Sequence, residues 1–196
     1  VPVGISFYSF HALGYLIDTY RRVHPPSASF LDFALYLGFF PQLIAGPLTR
    51  WKQFAPSLER PRPLGPTEVE SAGFLIARGL VKKVVLADLL GRFVDPVFAT
   101  LPTAGGVEVS LALYAYPFQL YFDFSGYTDL ARGLAIVFGY ELPENFNHPF
   151  LALSPADYWR RWHITLSNWL RDYLFLPTLR ALDRRRGARA ANGPAA

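Results

Sequence analysis

The chain has 196 residues, of which 52% are hydrophobic and only 17% are charged. This balance leaves few polar groups for a surface in water and favours a membrane protein over a soluble domain. The sequence has no cysteine, which excludes disulfides, thiolate metal sites and cysteine nucleophiles.

The first apolar stretch, residues 1–17, contains no Lys, Arg, Asp or Glu. It is about long enough to cross a bilayer as a helix, which takes roughly 17–25 residues. The chain begins with Val1 inside this run and contains no methionine anywhere. We therefore expect the sequence to be a fragment whose start is not the native one.

The second apolar stretch, residues 33–49, is also free of these charges, but Pro41 and Gly46-Pro47 interrupt it. Basic residues lie on both sides of it, and basic loops favour the cytoplasmic side of a membrane. A re-entrant or broken helix that returns to the same side satisfies both observations. The sequence thus predicts an all-α, polytopic helical membrane protein with re-entrant or broken helices.

The third and fourth apolar stretches, residues 71–90 and 109–140, carry charged side chains. Charge at membrane depth is costly unless it is paired or hydrated. We therefore expect Asp123 to form a buried pair with an Arg or Lys, for example one of the Lys82-Lys83 segment, beside a helix break at Gly126. A direct role for Asp123 at the reaction site is the alternative.

A further helix is predicted to begin at Ser154-Pro155 and to end at Pro177, because Ser caps helices and Pro suits the first helical position. On a 3.6-residue period an aromatic-rich stripe runs along one face. This stripe consists of Tyr158, Trp162, Leu166, Trp169 and Tyr173. A neighbouring polar stripe consists of Arg160, His163, Ser167 and Arg171.

The residues alone leave two interpretations of the polar stripe open. It can be the face of an interfacial helix whose arginines meet lipid phosphates. Alternatively, His163 acts as a general base or an orienting group while Arg160 and Arg171 attract anionic groups of a substrate or carrier. The four histidines are far apart in the sequence, so no metal-site spacing is present.

The formal net charge of +4 belongs to the C-terminal end, where five arginines outweigh Asp183. Nucleic-acid binding would need basic residues interleaved with stacking aromatics, and residues 178–196 contain no aromatic residue. We predict a basic, disordered tail over 178–196 that faces lipid on the cytoplasmic side, and no nucleic-acid partner.

Six strings occur along the chain in a fixed order. They are VGISFY (3–8), FFPQLIAGP (39–47), GLVKKV (79–84), YFDFSGYTD (121–129), LPENFN (142–147) and WRRWHI (159–164), which continues to WLRDYL (169–174). Together they resemble the membrane-bound O-acyltransferase family, in particular the branch that acetylates alginate. The resemblance makes residues 1–177 a partial acyltransferase core.

The resemblance implies a multi-pass protein of the bacterial inner membrane. It would move an acetyl group from a cytoplasmic thioester, acetyl-CoA or another, to hydroxyls of an exported polysaccharide. His163 matches one of the two histidines usual in this branch and would be catalytic, with Arg160, Arg171 and Asp123 binding substrate. The implied partners are the lipid bilayer, a polysaccharide acceptor or acyl relay protein, and other polysaccharide-acetylation proteins. No bound cofactor and no metal are expected.

The sequence also departs from the family pattern. The family's second histidine lies in a downstream Trp-His-Gly motif that has no match here, and the Gly-Gly-Asn-Arg-like turn usual after Pro177 is replaced by Thr178-Leu179-Arg180-Ala181. We therefore expect a fragment truncated at both ends and inactive alone. A noncatalytic membrane scaffold or a transporter component stays open as the alternative function.

Overall fold

The computed structural model describes residues 4–191, and over this range it consists of helices and connecting loops without any strand. The helices are α1 (Ile5–Tyr20), α2 (Phe30–Gly38), α3 (Phe40–Leu43), α4 (Trp51–Glu59), α5 (Pro66–Leu80), α6 (Asp88–Ala99), α7 (Gly106–Val137), α8 (Pro155–Arg161), α9 (Ile164–Leu170) and α10 (Leu176–Ala191). The expected all-α class is confirmed. Residues 1–3 of the first apolar stretch and 192–196 of the predicted tail lie outside the described range.

Three shorter helical segments complete the architecture. A π-helical segment, Val81–Ala87, joins α5 to α6, and a second, Arg171–Phe175, joins α9 to α10. A 3-10 turn lies at Pro149–Leu151. No helix between residues 4 and 191 combines the length and the apolar character needed to cross a bilayer.

The second apolar stretch is broken, as Pro41 and Gly46-Pro47 predict. Helix α2 ends at Gly38, and the short α3 follows after Phe39. The buried amide of Gln42 donates to the backbone oxygen of Tyr36 at 2.8 Å, so the break leaves this carbonyl satisfied. The Tyr36 hydroxyl donates to the backbone oxygen of Thr49 at 2.8 Å. These bonds fix the broken segment against the core, to which α1, α2, α4 and α7 all contribute.

The third and fourth apolar stretches form one antiparallel pair, in which α5, the first π segment and α6 pack along α7. Glycine makes the close approach possible. A Cβ atom placed on Gly79 would lie 2.8 Å from the backbone oxygen of Gly126 and 2.9 Å from the backbone nitrogen of Leu130. Small residues at such crossings let two helix backbones touch.

The helix break expected at Gly126 is wrong, because α7 is continuous from Gly106 to Val137. The helix keeps its own hydrogen bonds through this position, and the absence of a side chain serves contact with the neighbouring helix instead. A Cβ atom on Gly126 would lie 3.0 Å from the backbone oxygen of Gly79. Gly126 is therefore a packing glycine.

Ion pairs cross the same helix pair. Asp129 is 7% exposed and accepts hydrogen bonds from Arg78 and from the ammonium of Lys82, the latter at 2.7 Å. The predicted pair of Asp123 with a lysine of the Lys82-Lys83 segment is present, since Lys83 lies 2.5 Å from it. The expected burial of this pair is wrong, because the Asp123 side chain is 48% exposed. The buried carboxylate of this pair of helices is Asp129.

The C-terminal helices dock onto α1. The indole nitrogen of Trp169 donates to the backbone oxygen of Phe10 at 3.1 Å, and the Tyr173 hydroxyl donates to Asp18 at 2.6 Å. The predicted helix end at Pro177 is wrong, because α10 runs from Leu176 to Ala191. Pro177 follows a wider π-helical segment, which relieves the clash between its ring and the carbonyl four residues earlier. The division into a 1–177 core and a disordered tail stays a prediction.

The contact of Gly79 with α7 predicts a position-specific cost of substitution. Gly79→Ala should lower the free energy of unfolding by about 1–3 kcal/mol, because the added methyl group overpacks the crossing. Gly73→Ala is the matched control on the same helix, since a Cβ there meets no atom within 4 Å. It should be neutral or stabilise by up to about 1 kcal/mol through helix propensity. Thermal unfolding of both variants in detergent is the measurement, and equal midpoints would contradict the proposed crossing.

Asp123 and Asp129, both on α7, provide a second matched pair. Asp129→Asn should lower the free energy of unfolding by up to about 3 kcal/mol. This is the low end of the cost of breaking a buried ion pair, because Arg78 is 39% exposed. Asp123→Asn should cost within about 1 kcal/mol, because this pair is half exposed. The midpoints of thermal unfolding rank the two variants. A greater loss in Asp123→Asn would disprove the assignment of Asp129 as the buried charge.

Candidate functional site

The predicted helix after Ser154 starts as expected but is interrupted at Trp162-His163. The Ser154 hydroxyl accepts from the backbone N–H of Asp157 at 3.1 Å, and Pro155 is the first helical residue. Helix α8 ends at Arg161, where Trp162 turns to an extended conformation. His163 then adopts a left-handed conformation with φ 41° before α9 begins. The continuous stripes expected on one helix are therefore wrong.

Backbone hydrogen bonds from another part of the chain hold this break open. The N–H of Asn147 donates to the backbone oxygen of Arg161, and the N–H of Ile164 donates to the backbone oxygen of Asn145, both at 2.9 Å. These groups at the end of α8 and the start of α9 would otherwise lack helical partners. The loop of residues 142–149 thus takes the place of the missing turn of helix.

The Asn145 side chain also accepts hydrogen bonds from α9. Its Oδ1 atom accepts from both the backbone N–H of Thr165, at 3.2 Å, and the Thr165 hydroxyl, at 2.9 Å. The Thr165 hydroxyl oxygen also accepts a hydrogen bond from the backbone N–H of Leu48 at 2.9 Å. Three distant segments, around residues 48, 145 and 165, therefore meet beside the break.

His163 is buried at this junction, with 9% of its surface exposed. Its ring lies edge-on to the ring of Phe124 on α7, with 4.7 Å between the ring centres. Its Nε2 atom is buried and has no hydrogen-bond partner among the described residues. Burial lowers the pKa of His163 below its ordinary value, because the charged imidazolium would lose its hydration. At neutral pH the ring is therefore neutral and has a free electron pair.

An aromatic cluster surrounds one side of the histidine. Phe146 contacts both Phe124 and Trp162, with ring centres 5.0 Å and 5.1 Å apart, and Tyr158 stacks on Trp162 at 5.7 Å. Such rings exclude water and restrict the positions open to the imidazole. The cluster accounts for Tyr158 and Trp162 without a continuous aromatic stripe.

A polar cavity of about 120 Å³ lies next to this junction. Ser125 of α7 and Asn145 both line it, together with charged side chains from α5, α7 and the loop of residues 142–149. Ser125 follows Phe124, which contacts His163, and Asn145 holds Thr165 two residues beyond His163. The break and the cavity therefore share two structural elements, α7 and the 142–149 loop.

The other predicted site residues lie apart from His163. Arg160 is exposed on α8, with its Nε donating to the backbone oxygen of Ala156 at 3.3 Å. Arg171 pairs with Asp172 at 2.8 Å beside a separate cavity. Asp123 lines a third, open cavity together with Lys83. The structure does not bring these three residues into one cluster with His163.

Sequence reasoning missed the residues that position the histidine. Asn145 and Thr165 are 20 positions apart and carry no periodic pattern that would link them. Asn145 does belong to the LPENFN string, which was the available signal. Among residues 4–191, no group of three or more His, Asp or Glu side chains is arranged to hold a metal ion.

The sequence matches the model of the membrane-bound O-acyltransferase family over residues 13–191. The chain is 44% identical over 177 residues to a probable alginate O-acetylase of Pseudomonas aeruginosa, which is 90% of this chain and 34% of that protein. It is 37% identical over 203 residues to a peptidoglycan O-acetyltransferase of Helicobacter pylori, covering 90% of this chain and 38% of that protein.

A more distant relative is a teichoic acid D-alanyltransferase of Streptococcus thermophilus. It is 31% identical over 190 residues, covering 93% of this chain and 45% of that protein. The chain thus spans about a third to just under half of the length of these relatives. The family match extends over nearly the whole chain and includes the break at His163 and the loop that holds it. The chain belongs to the membrane-bound O-acyltransferase family.

Proposed function

We propose that the complete protein carrying this chain is a multi-pass O-acyltransferase of a bacterial inner membrane. It moves an acetyl group from a cytoplasmic acyl thioester, acetyl-CoA or another, to hydroxyls of an exported polysaccharide. One structural observation carries this proposal: a buried, neutral histidine with an unpartnered Nε2 is held in a left-handed break of a helix. Left-handed non-glycine residues are strained and cluster at functional sites.

An alginate-like polysaccharide is the proposed acceptor. The relatives named as alginate O-acetylases are 42–44% identical to this chain, against 37% for the peptidoglycan enzyme and 31% for the teichoic acid enzyme. Since the relatives are named for three different polymers, partner proteins of the acetylation system are proposed to select the acceptor. An acyl relay protein between donor and polysaccharide belongs to the same proposal.

In the proposed reaction, Nε2 of His163 takes the proton from the attacking hydroxyl. The hydroxyl oxygen then forms a bond to the thioester carbonyl carbon, and the carbon–sulfur bond breaks. The thiolate leaves with the proton returned by the imidazolium. A positioned general base of this kind contributes about 10²–10⁴ in rate, and the dry aromatic surroundings keep the base neutral between turnovers.

Arg160, Arg171 and Asp123 are proposed to bind substrate away from the reacting atoms. Arg160 and Arg171 are exposed cations and suit anionic groups of a donor or polymer. Asp123 is half exposed beside Lys83 and lines an open cavity, so it suits the hydroxyl groups of a sugar. Their separation supports contacts with an extended substrate rather than with one small group.

Replacing the histidine tests the proposed chemistry. His163→Asn should lower acetyl transfer by about 10²–10⁴-fold, because Asn tolerates the left-handed conformation but cannot accept the proton. The measurement is acetyl transfer to polysaccharide by the complete protein with its partners. His24→Asn, in the loop between α1 and α2, should keep activity within about twofold. Unchanged activity of His163→Asn would remove His163 from the mechanism, and an inactive unmutated protein would favour a scaffold or transporter component.

The pKa of His163 predicts the pH dependence of the rate. The base works in its neutral form, and burial lowers its pKa, so activity should persist through neutral pH and fall only below about pH 6.5, the ordinary value for histidine. Initial rates measured across acidic and neutral pH check this. A loss of activity already above that value would contradict the assignment of a desolvated base.

A further inference from the structure

The polar cavity beside the His163 junction has more cationic than anionic groups. Its charged lining consists of Arg78, Lys82, Arg132, Asp129 and Glu144. These are three cations and two anions, which leaves a formal excess of one positive charge with His148 counted as neutral. The cavity lies between α5 with the π-helical segment that follows it, α7 and the 142–149 loop.

The two carboxylates of this cavity already accept hydrogen bonds from its cations. The Asp129 carboxylate accepts from Arg78 Nε at 2.8 Å, Arg78 Nη2 at 2.6 Å and Lys82 Nζ at 2.7 Å. Glu144 accepts from Arg132 at 3.2 Å. Lys82 has three N–H donors and uses one of them on Asp129, and a guanidinium has five. Donors therefore remain beyond those that bond to the two carboxylates.

Two buried neutral side chains add unpaired groups to the same lining. Asn145 Nδ2 and Ser125 Oγ have no hydrogen-bond partner among the described residues, although these residues are only 1% and 2% exposed. The amide orientation of Asn145 is fixed, because its Oδ1 accepts from the N–H of Thr165. Buried polar groups without partners are rare and costly in proteins.

We propose that this cavity binds one oxyanionic group, a phosphate or a carboxylate. Surplus donors, an excess positive charge and two unpaired buried side chains all suit a ligand that only accepts hydrogen bonds. A volume of about 120 Å³ fits a single group of this kind, because pockets for whole cofactors or drug-sized ligands are about 300–1,000 Å³. The oxyanion completes the hydrogen bonding of Asn145 and Ser125.

The source of the oxyanion rests on the proposed function. A phosphate would come from the carrier of the acyl thioester, and a carboxylate would come from a uronate unit of the polysaccharide. In either case the bound oxyanion holds a substrate near His163, because α7 and the 142–149 loop both line the cavity and contact the segment around His163. Arg78, Lys82, Ser125 and Asn145 are then binding residues that take no part in proton transfer.

Titration of the purified complete protein with inorganic phosphate tests the site by calorimetry. Asn145→Asp keeps the oxygen that accepts from Thr165 but exchanges two donors for a negative charge. It should weaken phosphate binding roughly tenfold or more, and Ser125→Ala should weaken it several-fold. Ser110→Ala, an exposed serine of the same helix, should bind phosphate as the unmutated protein does. Equal thermal midpoints without phosphate show that the variants are folded.

Absence of saturable phosphate binding, or equal affinity in Asn145→Asp, would overturn the proposed site. Competition then identifies the source. Displacement of phosphate by phosphopantetheine but not pantetheine supports the acyl carrier, and displacement by a uronate but not its methyl ester supports the polysaccharide. Displacement by none of these would overturn the assignment to a substrate. A protein that binds phosphate but transfers no acetyl group would refute the proposed function and leave the site standing.

Discussion

The pairing of the 142–149 loop with the break at Trp162-His163 is the contact on which the candidate site depends. A left-handed histidine costs about 1–3 kcal/mol. Two backbone bonds and the two bonds from Thr165 to Asn145 oppose this cost, and each contributes about 0.5–1.5 kcal/mol. The four bonds together therefore offset the strain. Without them the chain from Ser154 would close into one helix and turn His163 onto a helix face.

Helix α7 connects this junction to the rest of the fold through three successive residues. Phe124 contacts the ring of His163, Ser125 lines the polar cavity, and Gly126 packs against Gly79. Consecutive residues of a helix point about 100° apart, so one short segment serves the site, the cavity and the helix crossing. The close crossing also brings Arg78 to the carboxylate of Asp129.

Local sequence signals predicted the features that local physics decides. Ser154 caps α8, and Pro41 with Gly46-Pro47 breaks the second apolar stretch. The pair of Lys83 with Asp123 joins two helices, and the cost of an unpaired charge in an apolar stretch predicted it. The break at His163 was missed because the helical period continues through it, while its cause, Asn145, lies in another segment. Gly126 and Pro177 were read as helix breakers, but their roles depend on a neighbouring helix and on a π-helical segment.

A structure of the complete protein, determined by electron cryomicroscopy at side-chain resolution, is the most direct test of the pairing between the 142–149 loop and the break at Trp162-His163. We expect α8 to end at Arg161, His163 to have a positive φ, and the N–H of Ile164 to bond to the backbone oxygen of Asn145. A continuous helix from Pro155 through Phe175, with the 142–149 loop bonded elsewhere, would contradict it.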